Sequence, residues 1–186
     1  HPYLFSPSQA SMDSGWQVYA PLVTRLFLHG GLWHLLGNML SLWVFGPNVE
    51  DRFGHVGFAI IYLACGLAAA ITQLAFSTGD ALHVPVVGAS GAIAGVMGGF
   101  FVLFPKARVV SVIPIWIVPL IVRVPAFVFL FFWIGMNVIN ALTELQLSLN
   151  NTQSAGVAWW AHIGGFVIGL VYGLVLAKKA PKSEAA

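Results

Sequence analysis

Charge is what this sequence has least of. Only 8% of its 186 residues are Asp, Glu, Lys or Arg, 59% are hydrophobic, and the mean hydropathy is +0.87. Soluble domains carry about 25% charged residues, so that class is excluded. The few lysines and arginines form no stripe that could track a phosphate backbone, which excludes nucleic acid as a partner. The single cysteine, Cys65, rules out an intrachain disulfide and reads as a small apolar filler in mid-run. His29 and His34 are five apart, about 140° around a helix, and do not form a ligand pair. With His162 they would still lack a cysteine or carboxylate, so neither a metal nor any other cofactor is expected.

What the chain does have is uncharged length. Charge-free runs cover residues 26–49, 53–79, 81–105, 109–122, 124–143 and 145–177. A helix needs about 20 residues to cross the hydrocarbon core, and five of these runs suffice. The run 109–122 is too short and carries Pro114 and Pro119; it reads as a loop or interfacial segment that dips in without crossing. The expected fold is therefore all-α, a polytopic membrane helix bundle with spans near 31–49, 56–76, 88–104, 125–143 and 157–177. Around this core of residues 31–177 lie an external loop, 1–30, and a short basic cytoplasmic tail, 178–186.

Charge placement orients the bundle. Arg52, Lys106, Arg108, Arg123, Lys178, Lys179 and Lys182 fall on one side and only Arg25 on the other, which marks the first side as cytoplasmic. Five spans ending inside require residues 1–30 to lie outside. That stretch has neither the basic flank nor the apolar centre of a signal peptide, so an upstream span absent from this chain is expected; unaided translocation of a short tail is the alternative. Trp16, Tyr19, Leu22, Leu26 and Phe27 give the loop interfacial character. Gly46-Pro47 is expected to end the first span before the charged turn Glu50-Asp51-Arg52, and a second external loop holds Asp80 and His83.

The spans differ in kind. Pro85 and Gly88 place the start of the third helix near Ser90, at membrane depth, with unpaired N–H groups pointing outward. Gly91, Gly95 and Gly99 form a small-residue stripe on that span, and Gly165, Gly169 and Gly173 form another on the last. Two such stripes allow backbones to meet, so these helices should pair, with Ser90 beside His162. The fourth span, rich in Phe127, Phe129, Phe131, Phe132 and Trp133, should pack loosely and face lipid.

Depth then gathers the polar groups. Asn38 lies 14 residues before Arg52, Ser90 lies 16 before Lys106, and His162 lies 16 before Lys178. At 1.5 Å per residue, all three stand about 21–24 Å above one face. Polar groups inside a bilayer are costly, so alignment at one level points to a built site. A serine hydroxyl needs a base, imidazole is the usual one near neutral pH, and no carboxylate lies within these spans. The expected catalytic pair is a Ser90–His162 dyad. His34 and Asn38 share a helix face and, with the backbone from Gly88 to Ser90, could hold an oxyanion. Taken singly, each residue has a plainer reading: Ser90 as packing, His162 as a hydrogen-bonded core histidine, His34 and Asn38 as interhelical ties. Asn137 and Asn140 are read as interhelical ties too, His29 as a loop-stabilising residue, and Asn150-Asn151-Thr152 as a glycosylation triplet of low specificity.

The pattern His34-x-x-x-Asn38, Gly88-Ala89-Ser90-Gly91 and Ala161-His162-x-Gly164-Gly165 resembles the rhomboid intramembrane serine proteases, from about Trp16 to Ala177. The resemblance implies Ser90 as nucleophile, His162 as base, and His34, Asn38 and the Gly88–Ser90 backbone as oxyanion site. It also implies cleavage of transmembrane protein substrates near their outer end, at small residues and unstable helix, with the fourth span and following loop as gate and cap. Departures are the missing first span of six, Thr24-Arg25 in place of a Trp-Arg pair, and Ala94 where some relatives carry an aromatic beside the histidine. Trp159 or Trp160 is the expected substitute.

The leading functional expectation is thus an intramembrane serine endopeptidase, embedded in the lipid bilayer of a bacterial inner membrane, with its active site opening outward. A catalytically silent binder of membrane helices is the alternative. A transporter is disfavoured by the lack of an inverted repeat or a buried ion-pair path. No oligomeric state follows from the sequence.

Overall fold

The computed structural model describes residues 16–77, 85–115, 118–150 and 157–177. Residues 1–15, the loop with Asp80 and His83, Asn151 and Thr152 of the glycosylation triplet, and the tail 178–186 lie outside these. The elements are α1 (Trp16–Thr24), a 3-10 turn (Arg25–Phe27), α2 (Leu32–Phe76), α3 (Ser90–Leu103), β1 (Arg108–Ile115), β2 (Val118–Pro125), α4 (Ala126–Leu149) and α5 (Trp159–Ala177).

The 45-residue α2 holds both of the first two expected spans. Its arms, 32–53 and 55–76, meet at Gly54, whose φ of 69° and ψ of 164° break the helix. The arms fold back on each other, since a Cβ at Gly46 would touch Phe58 at 3.8 Å, whereas residues twelve apart in a straight helix are about 18 Å apart. Gly46-Pro47 does not end the first arm as expected; helix continues through it, and the residue able to adopt a positive φ makes the turn.

α3 is the centre of the bundle. Every residue from Gly91 to Phe100 is buried, and the helix is only 14 residues long. That length gives about 21 Å, short of a 30 Å hydrocarbon core. The chain reaches its start as extended backbone through Pro85 and Val86, turns at Gly88 with φ 107°, and begins helix at Ser90, as the sequence implied. α5 lies against it through glycines: a Cβ at Gly165 or Gly169 would run into the carbonyl oxygen of Gly91 or Gly95. Cys65, fully buried, fills the space beside Gly95 from the second arm of α2. Phe45, Ile93, Met97, Phe100, Leu130 and Phe166 form the apolar core around α3.

The run 109–122 departs from expectation. It belongs to an antiparallel hairpin in which Arg108 pairs with Pro125 and Ile115 with Val118. The β-branched series Val109, Val110, Val112 and Ile113 suits a strand better than a loop. Pro114 faces Pro119 in the register, and both strands are edges, where a missing N–H is tolerated. Among the described residues the rest of the bundle is helical, and three helices, α2, α4 and α5, are long and apolar enough to cross a membrane.

Candidate active site

Ser90 is the first residue of α3 and His162 lies in the first turn of α5, so the glycine seam between these helices carries both. The Ser90 hydroxyl lies 2.9 Å from His162 Nε2. On the other side of the ring, Nδ1 lies 2.7 Å from Asn137 Oδ1 of α4.

Hydrogen-bond chemistry fixes the proton positions in this chain. Asn137 Nδ2 donates to the carbonyl oxygen of Trp133 at 2.7 Å, which sets the amide's orientation. Its Oδ1 can then only accept, so Nδ1 of His162 carries the proton. Nε2 is left with a lone pair, and the Ser90 hydroxyl donates to it. The ring is further held by Trp133, tilted 35° at 5.7 Å, and Trp159, edge-on at 6.1 Å. Trp159 is therefore one substitute for the aromatic absent at Ala94, while Trp160 instead stacks on Phe76 at 4.2 Å.

His34 and Asn38 face the same place from the first arm of α2. A Cβ at Gly88 would lie 2.7 Å from His34 Cε1 and 3.6 Å from Asn38 Nδ2. The Gly30 N–H donates to His34 Nδ1 at 3.2 Å, so Nε2 bears the proton and is a donor. His29 lies edge-on to His34, with ring centroids 5.3 Å apart. Asn38 is buried, and among the described residues its Nδ2 has no hydrogen-bond partner.

Gly88 enters differently from expectation. Its N–H donates at 2.8 Å to the carbonyl of Arg25, so it is not a donor for an oxyanion. Its part is conformational, because its positive φ and missing side chain make room for His34. The N–H of Ser90, in the first helical turn, has no intrahelical acceptor and is the backbone donor that remains. Arg25 itself is 1% exposed, and its guanidinium donates to the carbonyl of Gly66. Burial lowers its pKa to about 10, leaving it charged at neutral pH.

These groups line one cavity of about 500 Å³, shared by Trp33, His34, Asn38, Ser90, Glu144 and His162. Three contributors escaped the sequence reading. Asn137 had been assigned an interhelical bond without a partner, and the partner is the histidine. Gln73 accepts the Ala161 N–H at 3.1 Å, tying α2 to the start of α5; its signal was being the lone amide of its run. Glu144 lies inside α4, which continues to Leu149, six residues past the expected span.

The chain belongs to the rhomboid family, whose Rhomboid domain model matches residues 15–179. It is 28% identical over 165 residues to Rhomboid protein 1, mitochondrial, of Saccharomyces cerevisiae, covering 88% of this chain and 43% of the relative. It is 32% identical over 165 residues to RHOMBOID-like protein 4 of Arabidopsis thaliana, covering 88% and 34%. It is 43% identical over 77 residues to Rhomboid protease GluP of Bacillus subtilis, covering 41% and 14%. The chain thus spans less than half the length of these relatives. It is a multi-pass integral membrane protein. Relatives from yeast mitochondria and a plant stand beside the bacterial one, so kinship does not assign it to a bacterial inner membrane.

Proposed function

We propose that this chain is the core of an intramembrane serine endopeptidase that cleaves transmembrane helices. The observation that carries the reading is the relay Asn137–His162–Ser90, with bonds of 2.7 and 2.9 Å and a tautomer that leaves Nε2 basic. Nε2 takes the serine proton as Oγ attacks the scissile carbonyl carbon. The resulting oxyanion meets Asn38 Nδ2–H, His34 Nε2–H and the Ser90 N–H; one such donor is commonly worth about 10²–10³ in turnover. The C–N bond breaks as the imidazolium returns its proton to the leaving amine. Water, deprotonated by the same nitrogen, then frees the acyl group and restores the serine. Asn137 is a positioning residue: it touches the base and sets its tautomer.

A substrate helix must unwind to offer its carbonyl, since a helical amide is shielded and already bonded. The cavity opens to the external side, where water enters, and the phenylalanine-rich α4 is the entry side.

The test is cleavage of a reporter membrane helix in liposomes, with fluorophosphonate labelling in parallel. Ser90→Ala and His162→Ala should each abolish cleavage, and labelling should require both residues. Undiminished cleavage in either variant ends the dyad reading. Capture of helices without labelling would establish the silent-binder alternative.

A further inference from the structure

The β1–β2 hairpin takes no part in the active-site reading, and its two faces are unlike. It joins the end of α3 to the start of α4, so its root lies at the membrane boundary where the basic residues gather. Side chains alternate between faces along each strand. On one face Val109 is buried and belongs to the apolar core around α3 and the foot of α4. The opposite face carries Arg108, Val110 and Val112 of β1 with Ile121 and Arg123 of β2; Val110 pairs with Arg123, and Val112 with Ile121. Val110, Val112 and Ile121 are 61%, 60% and 68% exposed, and Arg108, Arg123 and the adjoining Lys106 are exposed too. The cations stand at the root and the apolar side chains lie toward the tip. No Asp or Glu occurs between Ala81 and Thr143, so the local sequence charge is wholly positive.

A contiguous patch of large apolar side chains left in water marks a contact surface. Position and charge decide what covers it. A helix on each side holds the root at the boundary, so lipid headgroups are within reach, and an anionic leaflet attracts each nearby lysine or arginine. Crossing into the hydrocarbon is excluded: among the described residues the sheet has two strands, and the outer edge of each needs water or headgroups for its N–H and C=O groups. We propose that this face docks on anionic phospholipid, with Val110, Val112 and Ile121 at the acyl boundary and Lys106, Arg108 and Arg123 on the headgroup phosphates. The Ala126 N–H donates to the Ala107 carbonyl at 2.7 Å, so a docked hairpin also fixes the foot of α4, the helix that carries Asn137.

The experiment places a nitroxide on Val112→Cys and, separately, on Ile121→Cys; the fully buried Cys65 stays unlabelled. The full chain is reconstituted in liposomes of phosphatidylcholine alone or mixed equally with phosphatidylglycerol. Collisions with oxygen, which concentrates in lipid, are compared with those of a neutral nickel chelate, which stays in water. In the mixture oxygen should dominate at both positions. The ratio of lipid-covered to water-exposed label should fall at least about tenfold in phosphatidylcholine alone, and equally in the mixture with Lys106→Gln, Arg108→Gln and Arg123→Gln combined. High salt in the mixture should lower it as well. Nickel dominance at both positions in the mixture overturns the proposal and gives the face to a soluble partner. Equal lipid coverage in both vesicles, unchanged by the three substitutions, overturns the headgroup selectivity. Disagreement between the two labels, which sit on paired residues, overturns docking by this face as a unit.

Discussion

The two helices that reach His162 are held by opposite means. α5, which carries the histidine, meets α3 backbone to backbone: Cβ atoms at Gly165, Gly169 and Gly98 would strike the carbonyls of Gly91, Gly95 and Phe166. α4, which carries Asn137, has nothing within 4 Å of a Cβ at Gly135, and Phe131, Phe132 and Ile139 are 63%, 66% and 57% exposed. In lipid, burying apolar surface gives little drive for helices to associate, because the tails are as apolar as leucine. Close packing and polar ties must do it. The α3–α5 seam uses the first and α4 relies more on the second, so Ser90 and His162 sit on the closely packed body and the Asn137 amide on the looser one.

The same chemical change should therefore have different consequences on the two helices. Gly165→Ala brings the largest loss: its methyl group meets the Gly91 backbone next to Ser90, and backbone cannot step aside cheaply. Reporter cleavage should fall at least about 10²-fold, as an ångström of misplacement can do, with about 1–3 kcal/mol of lost stability in detergent unfolding. Wild-type cleavage in that variant would mean the seam is not rigid. Next comes Asn137→Ala, which frees the imidazole tautomer. It should forfeit up to about a hundredfold of the 10²–10⁴ that a positioned base contributes, and reshape the pH–rate profile. A fall in cleavage with an unaltered profile would mark Asn137 as packing alone.

Gly88→Ala should cost about tenfold in cleavage. A Cβ there lies 2.7–2.8 Å from the His34 ring, and the φ of 107° adds about 1–2 kcal/mol of strain. Retention of full activity would remove His34 from the oxyanion site. Gly135→Ala on α4 is expected to reverse the sign, stabilising by about 0.5–1 kcal/mol through helix propensity and leaving cleavage intact. If it destabilises instead, α4 is packed more closely than its exposure implies. Smallest of all, Phe132→Ala should stay within about 0.5 kcal/mol of wild type in the same unfolding assay.

Much of this arrangement is legible in the sequence because membranes enforce simple rules. Uncharged length locates helices, and glycine stripes say which two touch. Pro85 and Gly88 correctly delay α3 to Ser90, since both act on local backbone. What escapes depends on contacts between distant segments or on context. Asn137 and His162 are 25 residues apart, and a lone amide in a span names no partner. Glu144 ended a charge-free run and so read as a boundary, although a helix lining a wet cavity can keep a carboxylate. Gly46-Pro47 looks like a stop by local chemistry, yet helix passes through it and the reversal waits for Gly54. The hairpin was hidden by reading its two prolines as breakers of a crossing rather than as facing members of two edge strands.

The 2.7 Å tie from Asn137 to His162 joins the stiff body to the supple one. A hydrogen bond is gone by about 3.6 Å, so less than an ångström of outward drift of α4 unlatches the ring. Loss of that bond would remove what holds the proton on Nδ1, so the basic form of Nε2 that the proposed reaction needs would no longer be favoured. Under the proposed function, the position of α4 and the tautomer of the base would then be coupled through one amide.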